Sequence, residues 1–423
     1  MDYKAEVFDQ VQLLFDITGF NDHTLHCVLR FDSELDVGVL KKAVIYSIEA
    51  IPILGTRYID GEKPHWTSID EENFSEAFVI INTKKEFEEQ VVYRIKETRG
   101  PQVKIGYLDL NPPALTISMN HMICDAAGFK EYLYFLCQIY SKLTDDSEYK
   151  PCMITGDRSI RRVLKNVRRG TKLKTFLSQK SDNTHNWSGN HQFPLSKDEE
   201  TRPFILTRKI DLEKTGLIKS YSQTMGATLN DVVLAAYYRC LSRKLELGSN
   251  DELCIPVMVD MRRYLAQAEN FKTLTNLTST VITQLNCRSD ENFKTTLIKV
   301  KALMEEKKSN NIGIKGFIAL NLVYRLLKSE KANKILRSKL KNPPICMTNV
   351  GILDSTRMYF SDIRPCDAFL CGSIKYKPHF QLAMSTYKEE LTLSVNLYGS
   401  SSDRDLILAF LKEIEEEIFT ANF

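Results

Sequence analysis

Apolar and polar residues alternate in the first third of the chain in a way that predicts strands followed by helices. Residues 25–31 form a run typical of a strand, and Ser33 is expected to begin a helix that ends at Pro52. Residues 115–119 alternate apolar with hydroxyl-bearing side chains, as a half-buried strand does, and Asp125 is expected to begin a second helix. The polar residues between this strand and helix are therefore predicted to form a loop, held by rigid elements on both sides.

The second half of the chain shows the same two periodicities. Thr228 and Asp231 have the spacing of a capping box ahead of a helix at residues 232–245, and a last helix is expected at residues 403–418. Strands are predicted over four runs, at residues 254–259, 278–285, 381–386 and 391–397. The last two of these runs are separated by a short charged turn and are expected to form an antiparallel hairpin.

The chain length predicts two domains or lobes, because 423 residues exceed what one hydrophobic core usually supports. Residues 178–200 are polar and rich in Ser, Asn, Asp and His, and we interpret them as a linker. The expected division is an N-terminal lobe at residues 1–177, the linker at 178–200, and a C-terminal lobe at 201–423.

Composition excludes several classes of protein. Hydrophobic residues at 43% and charged residues at 26% are ordinary for a soluble globular chain. The net charge of +3 argues against nucleic-acid binding over the whole surface. The ten cysteines include no Cys-x-x-Cys pair or zinc-like cluster, and no apolar run approaches the roughly 20 residues of a membrane span. We therefore expect a cytoplasmic protein with no transmembrane helix and no metal site.

One stretch, residues 158–174, is strongly basic. It holds eight basic residues and no acidic one, with apolar residues interleaved at amphipathic spacing. We interpret it as the solvated face of a helix. The alternative is a docking surface for the phosphates of coenzyme A or for an acidic acyl carrier protein.

Of the seven histidines, only His121 stands at the end of a predicted strand with Asp125 four residues later and Gly128 seven residues later. A neutral imidazole can take a proton from an alcohol, amine or thiol, which makes histidine the commonest general base. Cys124 lies between them, and we interpret it as a small buried thiol that fills the loop rather than a nucleophile. The setting makes His121 the candidate base.

The segment from Asn120 to Gly128 resembles the His-x-x-x-Asp motif of one acyltransferase superfamily. Its members include chloramphenicol acetyltransferase, plant BAHD acyltransferases, wax ester synthases, alcohol acetyltransferases and nonribosomal peptide synthetase condensation domains. Four further stretches resemble the superfamily in the expected order, at residues 35–54, 100–104, 228–236 and 256–264. The resemblance covers most of the chain and implies an α/β fold of α+β two-layer sandwiches. It implies two chloramphenicol acetyltransferase-like lobes, with the active site in a channel between them.

The resemblance also implies roles for individual residues. His121 would be the general base, and Asp125 would be structural, because the superfamily's aspartate points away from the substrate and pairs with an arginine. Arg262 matches that arginine best, and Arg263 is the neighbouring alternative. A buried carboxylate without such a partner would cost several kcal/mol. The motif therefore implies one residue for proton transfer and a pair that shapes the loop.

Residues 344–351 resemble the Ser/Thr-Asn-Val-Gly strand and turn that crosses between the lobes of this superfamily. With Gly128, Thr348 and Asn349 are the candidate substrate-binding residues, and the latter two would donate hydrogen bonds near an oxyanion or the acceptor. The alternative is a purely structural turn, with Gly351 at a position that demands an unusual backbone.

Two departures from the motif bear on function. Asn120 stands where condensation domains usually have a second His, which points away from peptide-bond formation on a synthetase. Asp125 is followed by two alanines before Gly128, rather than directly by Gly, so the shape of the loop can differ from the superfamily's pattern.

The resemblance implies an acyltransferase that moves an acyl group from a thioester to a small alcohol or amine. Acyl-CoA or an acyl carrier protein would bring the acyl group, with no metal and no cofactor beyond that acyl-CoA or acyl-phosphopantetheine substrate. The alternative is a catalytically silent condensation-like domain that binds a carrier protein or partner enzyme. The joint presence of His121, Asp125 and Arg262 favours the enzyme.

Overall fold

The computed structural model describes residues 2–167, 191–198, 200–248, 250–265, 273–288, 291–309, 312–339 and 343–420. Within these residues the helices are α1 (Val7–Ile17), α2 (Val37–Ala50), α3 (Lys84–Val91), α4 (Ala126–Asp145), α5 (Arg161–Asn166), α6 (Leu212–Thr224), α7 (Leu229–Lys244), α8 (Phe293–Ser309), α9 (Ile314–Leu326), α10 (Ser329–Lys339) and α11 (Ser401–Phe419). The strands are β1 (Asp2–Lys4), β2 (Thr24–Arg30), β3 (Thr56–Ile59), β4 (His65–Ser68), β5 (Phe78–Ile81), β6 (Val103–Leu108), β7 (Ala114–Asn120), β8 (Arg202–Ile210), β9 (Leu253–Asp260), β10 (Thr278–Leu285), β11 (Ile345–Leu353), β12 (Asp367–Cys371), β13 (Phe380–Tyr387) and β14 (Glu390–Gly399).

Five strands form a sheet in the order β12-β2-β7-β6-β5. β7 pairs antiparallel with both β2 and β6, and β5 lies parallel to β6. Helices α2 and α4 pack together against an apolar core with residues of this sheet, including Leu40, Leu115 and Phe129. β12 comes from the C-terminal half of the chain and pairs antiparallel with β2, so the two halves share this sheet.

Six strands form a second sheet in the order β10-β9-β11-β13-β14-β8. β11 runs parallel to β9 and β13, and β13 and β14 form the predicted antiparallel hairpin. One face is apolar and packs with α7, α8 and α11 through side chains such as Leu234, Leu297 and Phe410. The opposite face carries buried polar side chains and meets β12, where Ser385 Oγ accepts a hydrogen bond from Leu370 N–H (3.4 Å). Polar groups therefore lie between the two sheets.

A further apolar cluster joins the N-terminal helix to the C-terminal half. Phe8, Val11 and Leu14 of α1 belong to one cluster with Ile314 and Phe317 of α9, and the ring centroids of Phe8 and Phe317 lie 5.2 Å apart. Just before α1, β1 pairs with β4 in a small sheet of three strands, in the order β1-β4-β3. Helix α1 is thus held from both sides.

Local side chains explain where two of the helices begin. The predicted start of α2 at Ser33 is wrong, because Asp36 caps the helix by accepting a hydrogen bond from Val39 N–H (2.9 Å). The predicted capping box of α7 is confirmed. Thr228 Oγ1 accepts from Asp231 N–H (3.2 Å), and Asp231 Oδ2 accepts from Thr228 N–H (2.9 Å).

Three observations concern expectations about the chain as a whole. In the part of the chain that the structure describes, no helix is both long and apolar enough to cross a membrane. All ten cysteines are free. Of the basic stretch at residues 158–174, α5 covers residues 161–166, and residues 168–174 lie outside the described residues, as do residues 178–190 of the predicted linker.

Candidate active site

The loop between β7 and α4 carries His121 and Asp125. At its start Asn120 is buried, and its Oδ1 accepts a hydrogen bond from the backbone N–H two residues later (2.8 Å), while its Nδ2 donates to Gln102 Oε1 (2.6 Å). At its end Asp125 caps α4 by accepting from Gly128 N–H (2.9 Å). The loop is therefore fixed by hydrogen bonds at both ends.

The hydrogen bonds of His121 define its tautomer. Its backbone N–H donates to the carbonyl of His23 (2.6 Å), and its Nδ1 lies 2.8 Å from the carbonyl oxygen of Cys124. Because a carbonyl oxygen only accepts hydrogen bonds, Nδ1 carries the proton and Nε2 keeps a lone pair. The Nε2 atom faces the side-chain amide nitrogen of Gln12 at 3.4 Å.

The surroundings of His121 favour its neutral form. Burial lowers the pKa of the imidazole, because the charged form loses its solvation. The carbonyl of Cys124 and the carboxylate of Asp125 oppose this effect, whereas the ammonium of Lys375 adds to it, and the pKa lies below its ordinary value. His121 is therefore neutral at neutral pH, which is the state that a general base requires.

The carboxylate of Asp125 is buried and directed into the C-terminal half. Its Oδ2 accepts hydrogen bonds from Arg262 Nη1 (2.8 Å), Leu277 N–H (2.7 Å) and Thr278 Oγ1 (3.1 Å). Burial by itself raises the pKa of Asp125, but the guanidinium and the hydrogen bonds outweigh it, and the pKa is lowered. The carboxylate is charged, and these hydrogen bonds connect it to groups other than the His121 ring.

Arg262 reaches Asp125 from a short 3₁₀ turn that follows β9. Its Nη2 donates to the carbonyl of Thr275 (3.0 Å), and its Nη1 also lies 3.2 Å from Asp260 Oδ1. The alternative partner from the sequence, Arg263, is exposed to solvent. The structure thus places Arg262, and not its neighbour, against the loop.

The segment before β10 also holds the backbone of the loop. Asn276 Nδ2 donates to the carbonyl oxygens of His121 (2.7 Å) and Met122 (2.9 Å). Asn276 is buried, and its contact with the loop had no signal in the sequence. Residues of the C-terminal half therefore fix both the carboxylate of Asp125 and the main chain of His121.

Gly128 packs closely against the loop and against Thr275 of the C-terminal half. A Cβ atom at this position would come within 3.1 Å of the Cys124 Cβ and 3.5 Å of the Thr275 carbonyl oxygen. The absence of a side chain therefore lets the start of α4 pack closely against the loop and the C-terminal half.

Asn349 and Thr348 lie side by side in β11 but in different surroundings. Asn349 is exposed, and its side-chain oxygen accepts from Gly351 N–H (2.8 Å) across a β-bulge. Its side-chain nitrogen donates to Asn230 Oδ1 in α7 (3.3 Å). Thr348 is half-buried, and its hydroxyl makes no hydrogen bond within the described chain. Neither residue is hydrogen-bonded to His121 among the described residues.

The family model described as Transferase family matches residues 82–361, well over half of the sequence. This chain belongs to the Transferase family. A search of curated proteins found no match to this chain.

Solved structures show the fold that this member of the Transferase family adopts. Similar structures include the TRI3 trichothecene 15-O-acetyltransferase from Fusarium sporotrichioides, at a TM-score of 0.73 and 11% identity over 99% of this chain and 95% of that chain. Polyketide synthase associated protein 5 from Mycobacterium tuberculosis has a TM-score of 0.70 and 13% identity, with 97% and 96% coverage. The first condensation domain of the CDA synthetase has a TM-score of 0.70 and 13% identity, with 99% and 96% coverage. The predicted two-lobed α/β fold of the superfamily is confirmed.

In this Transferase-family chain, α1 borders the candidate site, which sequence reasoning missed. Asp9, Gln12 and Asp16 share one face of the helix, and Gln12 approaches His121. The two carboxylates form ion pairs with cations that are largely buried. Three polar residues at helical spacing within a helix that is otherwise mostly apolar were the signal that could have revealed this face.

Arg158 has a structural partner. Asp9 accepts hydrogen bonds from Arg158 Nη1 (3.0 Å) and Nη2 (2.9 Å), and also from Trp66 Nε1 (2.8 Å). Arg158 further donates to the carbonyl of Ile123 in the loop (3.3 Å). The first residue of the predicted basic stretch therefore ties α1 to the loop and does not belong to a solvated surface.

His23 is a buried charge beneath the loop. Its Nδ1 lies 3.0 Å from Asp16 Oδ2, and its Nε2 lies 3.1 Å from Glu97 Oε2. Burial lowers the pKa of His23, but the two carboxylates outweigh it and raise the pKa to about 9. The residue whose carbonyl binds His121 N–H is therefore a charged part of the scaffold at neutral pH.

The remaining candidate chemistry near the loop is a thiol. Cys124 is buried, and burial raises the pKa of its thiol well above the ordinary value. Its Sγ lies 3.1 Å from Met119 Sδ, so the side chain fills space inside the loop. Across the described residues, no group of three or more His, Cys, Asp or Glu is placed to hold a metal ion.

Proposed function

We propose that this protein transfers an acyl group from a thioester of coenzyme A or an acyl carrier protein to an alcohol or amine, with His121 as the general base. The observation that carries the proposal is the 2.8 Å hydrogen bond between His121 Nδ1 and the Cys124 carbonyl, because it keeps the proton on Nδ1 and leaves Nε2 unprotonated, as a base must be. Further support comes from the named chemistry of two structural neighbours, an acetyltransferase and a condensation domain.

In the proposed reaction, His121 Nε2 takes the proton of the acceptor while the acceptor oxygen or nitrogen bonds to the thioester carbonyl carbon. The carbonyl π electrons move to oxygen and give a tetrahedral oxyanion. When this intermediate collapses, the carbon–sulfur bond breaks and the thiolate takes the proton from Nε2. The products are an ester or amide and a free thiol, and His121 returns to its neutral form.

Asp125 has no proton to transfer in this scheme. Its oxygens accept hydrogen bonds from Gly128, Leu277, Thr278 and Arg262, and its pKa lies below the ordinary range. Its role is to shape the loop and to hold the two halves of the chain together around His121.

Thr348 is the better of the two candidate donors for the oxyanion. Ile345 and Met347 belong to the apolar core, so strand alternation puts Thr348 on the opposite face of β11. Its hydroxyl has no partner within the described chain, whereas the amide of Asn349 is engaged in the bulge. One donor to an oxyanion contributes about 3 kcal/mol in other acyl-transfer enzymes.

We propose α5 as the surface that binds the thioester donor. Arg161 and Lys165 face solvent on this helix, and they are suited to the phosphates of coenzyme A or an acidic carrier surface. Arg162 is largely buried and donates to the carbonyl of Asp157 (2.8 Å).

The experiment that tests the function uses a panel of acyl-CoA thioesters with simple alcohols and amines. We expect release of free thiol that depends on the acceptor, together with an ester or amide detected by mass spectrometry. Absence of thiol release with every donor, combined with tight binding to an acyl carrier protein, would instead establish a domain that binds without catalysing.

A further inference from the structure

Lys375 is a cation buried where the two halves of the chain meet. It lies between β12 and β13, and its side chain is only 4% exposed. Its backbone is paired on both sides, with Asn21 ahead of β2 and with Leu397 in β14. These pairings fix the main chain, so the position of the ammonium is set by the fold.

The ammonium has few partners. Its Nζ donates to Asn21 Oδ1 (2.8 Å) and lies 4.5 Å from the centroid of the Phe20 ring. An ammonium has three N–H donors, so in the described chain at least one of them has no hydrogen-bond acceptor. Asn21 and Phe20 are also neutral, and they cannot balance the charge.

No carboxylate of the described residues lies within ion-pair distance of Lys375. The carboxyl group that raises the pKa of Lys375 is that of Asp22, whose Oδ1 accepts hydrogen bonds from Thr24 N–H (3.2 Å) and Ile374 N–H (3.1 Å). Burial lowers the pKa of Lys375, and the thiol of Cys346 and the carboxyl of Asp22 only partly oppose it. An ammonium buried without a paired anion is costly, and the described residues place no anion in contact with Lys375.

An anion bound by Lys375 would lie near the segment that contacts the His121 loop. Lys375 Nζ is hydrogen-bonded to Asn21, which lies two residues before His23, and the carbonyl of His23 accepts the hydrogen bond from His121 N–H (2.6 Å). The charge of Lys375 also contributes to lowering the pKa of His121. His379 packs at a tilt against the same Phe20 ring, with centroids 4.1 Å apart, and among the described residues its buried Nδ1 has no hydrogen-bond partner. Lys375 and His379 therefore share contacts with Phe20, in the segment that leads into the His23 contact with the loop.

We propose that Lys375 binds a carboxylate carried by one of the two substrates, with His379 Nδ1 as a second polar contact. A carboxylate matches the ammonium because charge-assisted hydrogen bonds are the strong ones. The carboxylate can belong to the acceptor, as in a hydroxy acid, or to the acyl group, as in the half-thioester of a dicarboxylic acid. This inference rests on the proposed function, and it names the substrate class of that site.

The test compares acids with matched neutral compounds. One arm offers acetyl-CoA with 3-hydroxybenzoate or its methyl ester, and the other offers succinyl-CoA or butyryl-CoA with a neutral alcohol. Each arm is run with wild type, Lys375→Met, Lys375→Arg and, as control, Lys412→Met on an exposed surface of α11. The quantity compared is the ratio of kcat/KM for the acid to kcat/KM for its neutral counterpart.

We expect the wild type to prefer the acid in one arm, which identifies the source of the carboxylate. Lys375→Met should lower that ratio by about ten- to a hundredfold, as loss of a charged hydrogen bond does, and Lys375→Arg should retain part of it. Lys412→Met should keep the wild-type ratio. Equal use of acids and neutral compounds by the wild type in both arms overturns the inference, as does a Lys375→Met variant that keeps the preference. If Lys375→Met does not fold, the kcat/KM ratios of the wild type and of Lys375→Arg test the inference.

Failure of the proposed function can be separated from failure of this inference. If no pair yields a product, the proposed acyl transfer is wrong, and calorimetric titration with 3-hydroxybenzoate and succinyl-CoA then decides. Binding of either acid that is weakened at least tenfold in Lys375→Met supports the carboxylate site. Absence of binding to the wild type overturns it.

Discussion

His121→Gln should reduce acceptor-dependent thiol release by about 10²- to 10⁴-fold, the range that a positioned general base contributes. Glutamine fills similar space but has no lone pair basic enough to accept a proton from an alcohol or amine. The backbone of residue 121 is held by His23 and Asn276 through main-chain atoms, so the loop should keep its shape. The measurement is steady-state thiol release with the best donor and acceptor pair from the panel.

The matched control is His65→Gln, in which the same change is made in β4. His65 Nδ1 contacts the carbonyl of Lys63 (3.0 Å) and has no contact with the loop at residues 121–125 among the described residues. Its activity should equal that of the wild type. A His121→Gln variant that is folded by circular dichroism and releases thiol as fast as His65→Gln would rule out a base at position 121.

Arg262→Met should lower the free energy of unfolding by about 3 kcal/mol, the lower part of the range for breaking a buried ion pair. The variant leaves the Asp125 carboxylate buried beside an apolar side chain. The loss falls at the low end because Leu277 N–H, Thr278 Oγ1 and Gly128 N–H continue to donate to this carboxylate. Urea unfolding followed by circular dichroism measures the change.

The neighbouring residue supplies a close control for this prediction. Arg263→Met removes the same charge from an exposed side chain and should change stability by less than about 0.5 kcal/mol. Adding Asp125→Asn to Arg262→Met removes the unpaired charge and should recover part of the lost stability. Equal stabilities of the two arginine variants would show that the pair with Asp125 does not hold the loop.

Local patterns in the sequence predicted much of the fold. Alternation predicted the β13–β14 hairpin, because each of its strands has one face in an apolar core. The capping box of Thr228 and Asp231 marked the start of α7 because both residues act within one turn. The position of His121 between a strand and a helix followed from the same local signals, and the superfamily resemblance supplied its expected role.

Contacts between distant parts of the chain could not be predicted from the sequence. β12 looks like any other short strand, and its pairing with β2 depends on the packing of the whole chain. Asn276 and Gln12 approach His121 from segments 155 and 109 residues away, and a single sequence holds no record of such pairs. Lysine is rarely buried, so its residue type gave no reason to expect Lys375 between the two halves, and only the structure shows it there.

The pH dependence of kcat/KM for a neutral alcohol acceptor tests the central claim most directly, since this ratio reports the ionisation of the free enzyme's base. Between pH 5 and 8 the scaffold cation His23, with a pKa of about 9, keeps its proton. The rate should fall with decreasing pH in a single step whose apparent pKa lies below about 6.5, because burial lowers the pKa of His121 and only its neutral form accepts a proton. An acid limb centred above pH 7, or the same limb in the residual activity of His121→Gln, would contradict the assignment of His121 as the base.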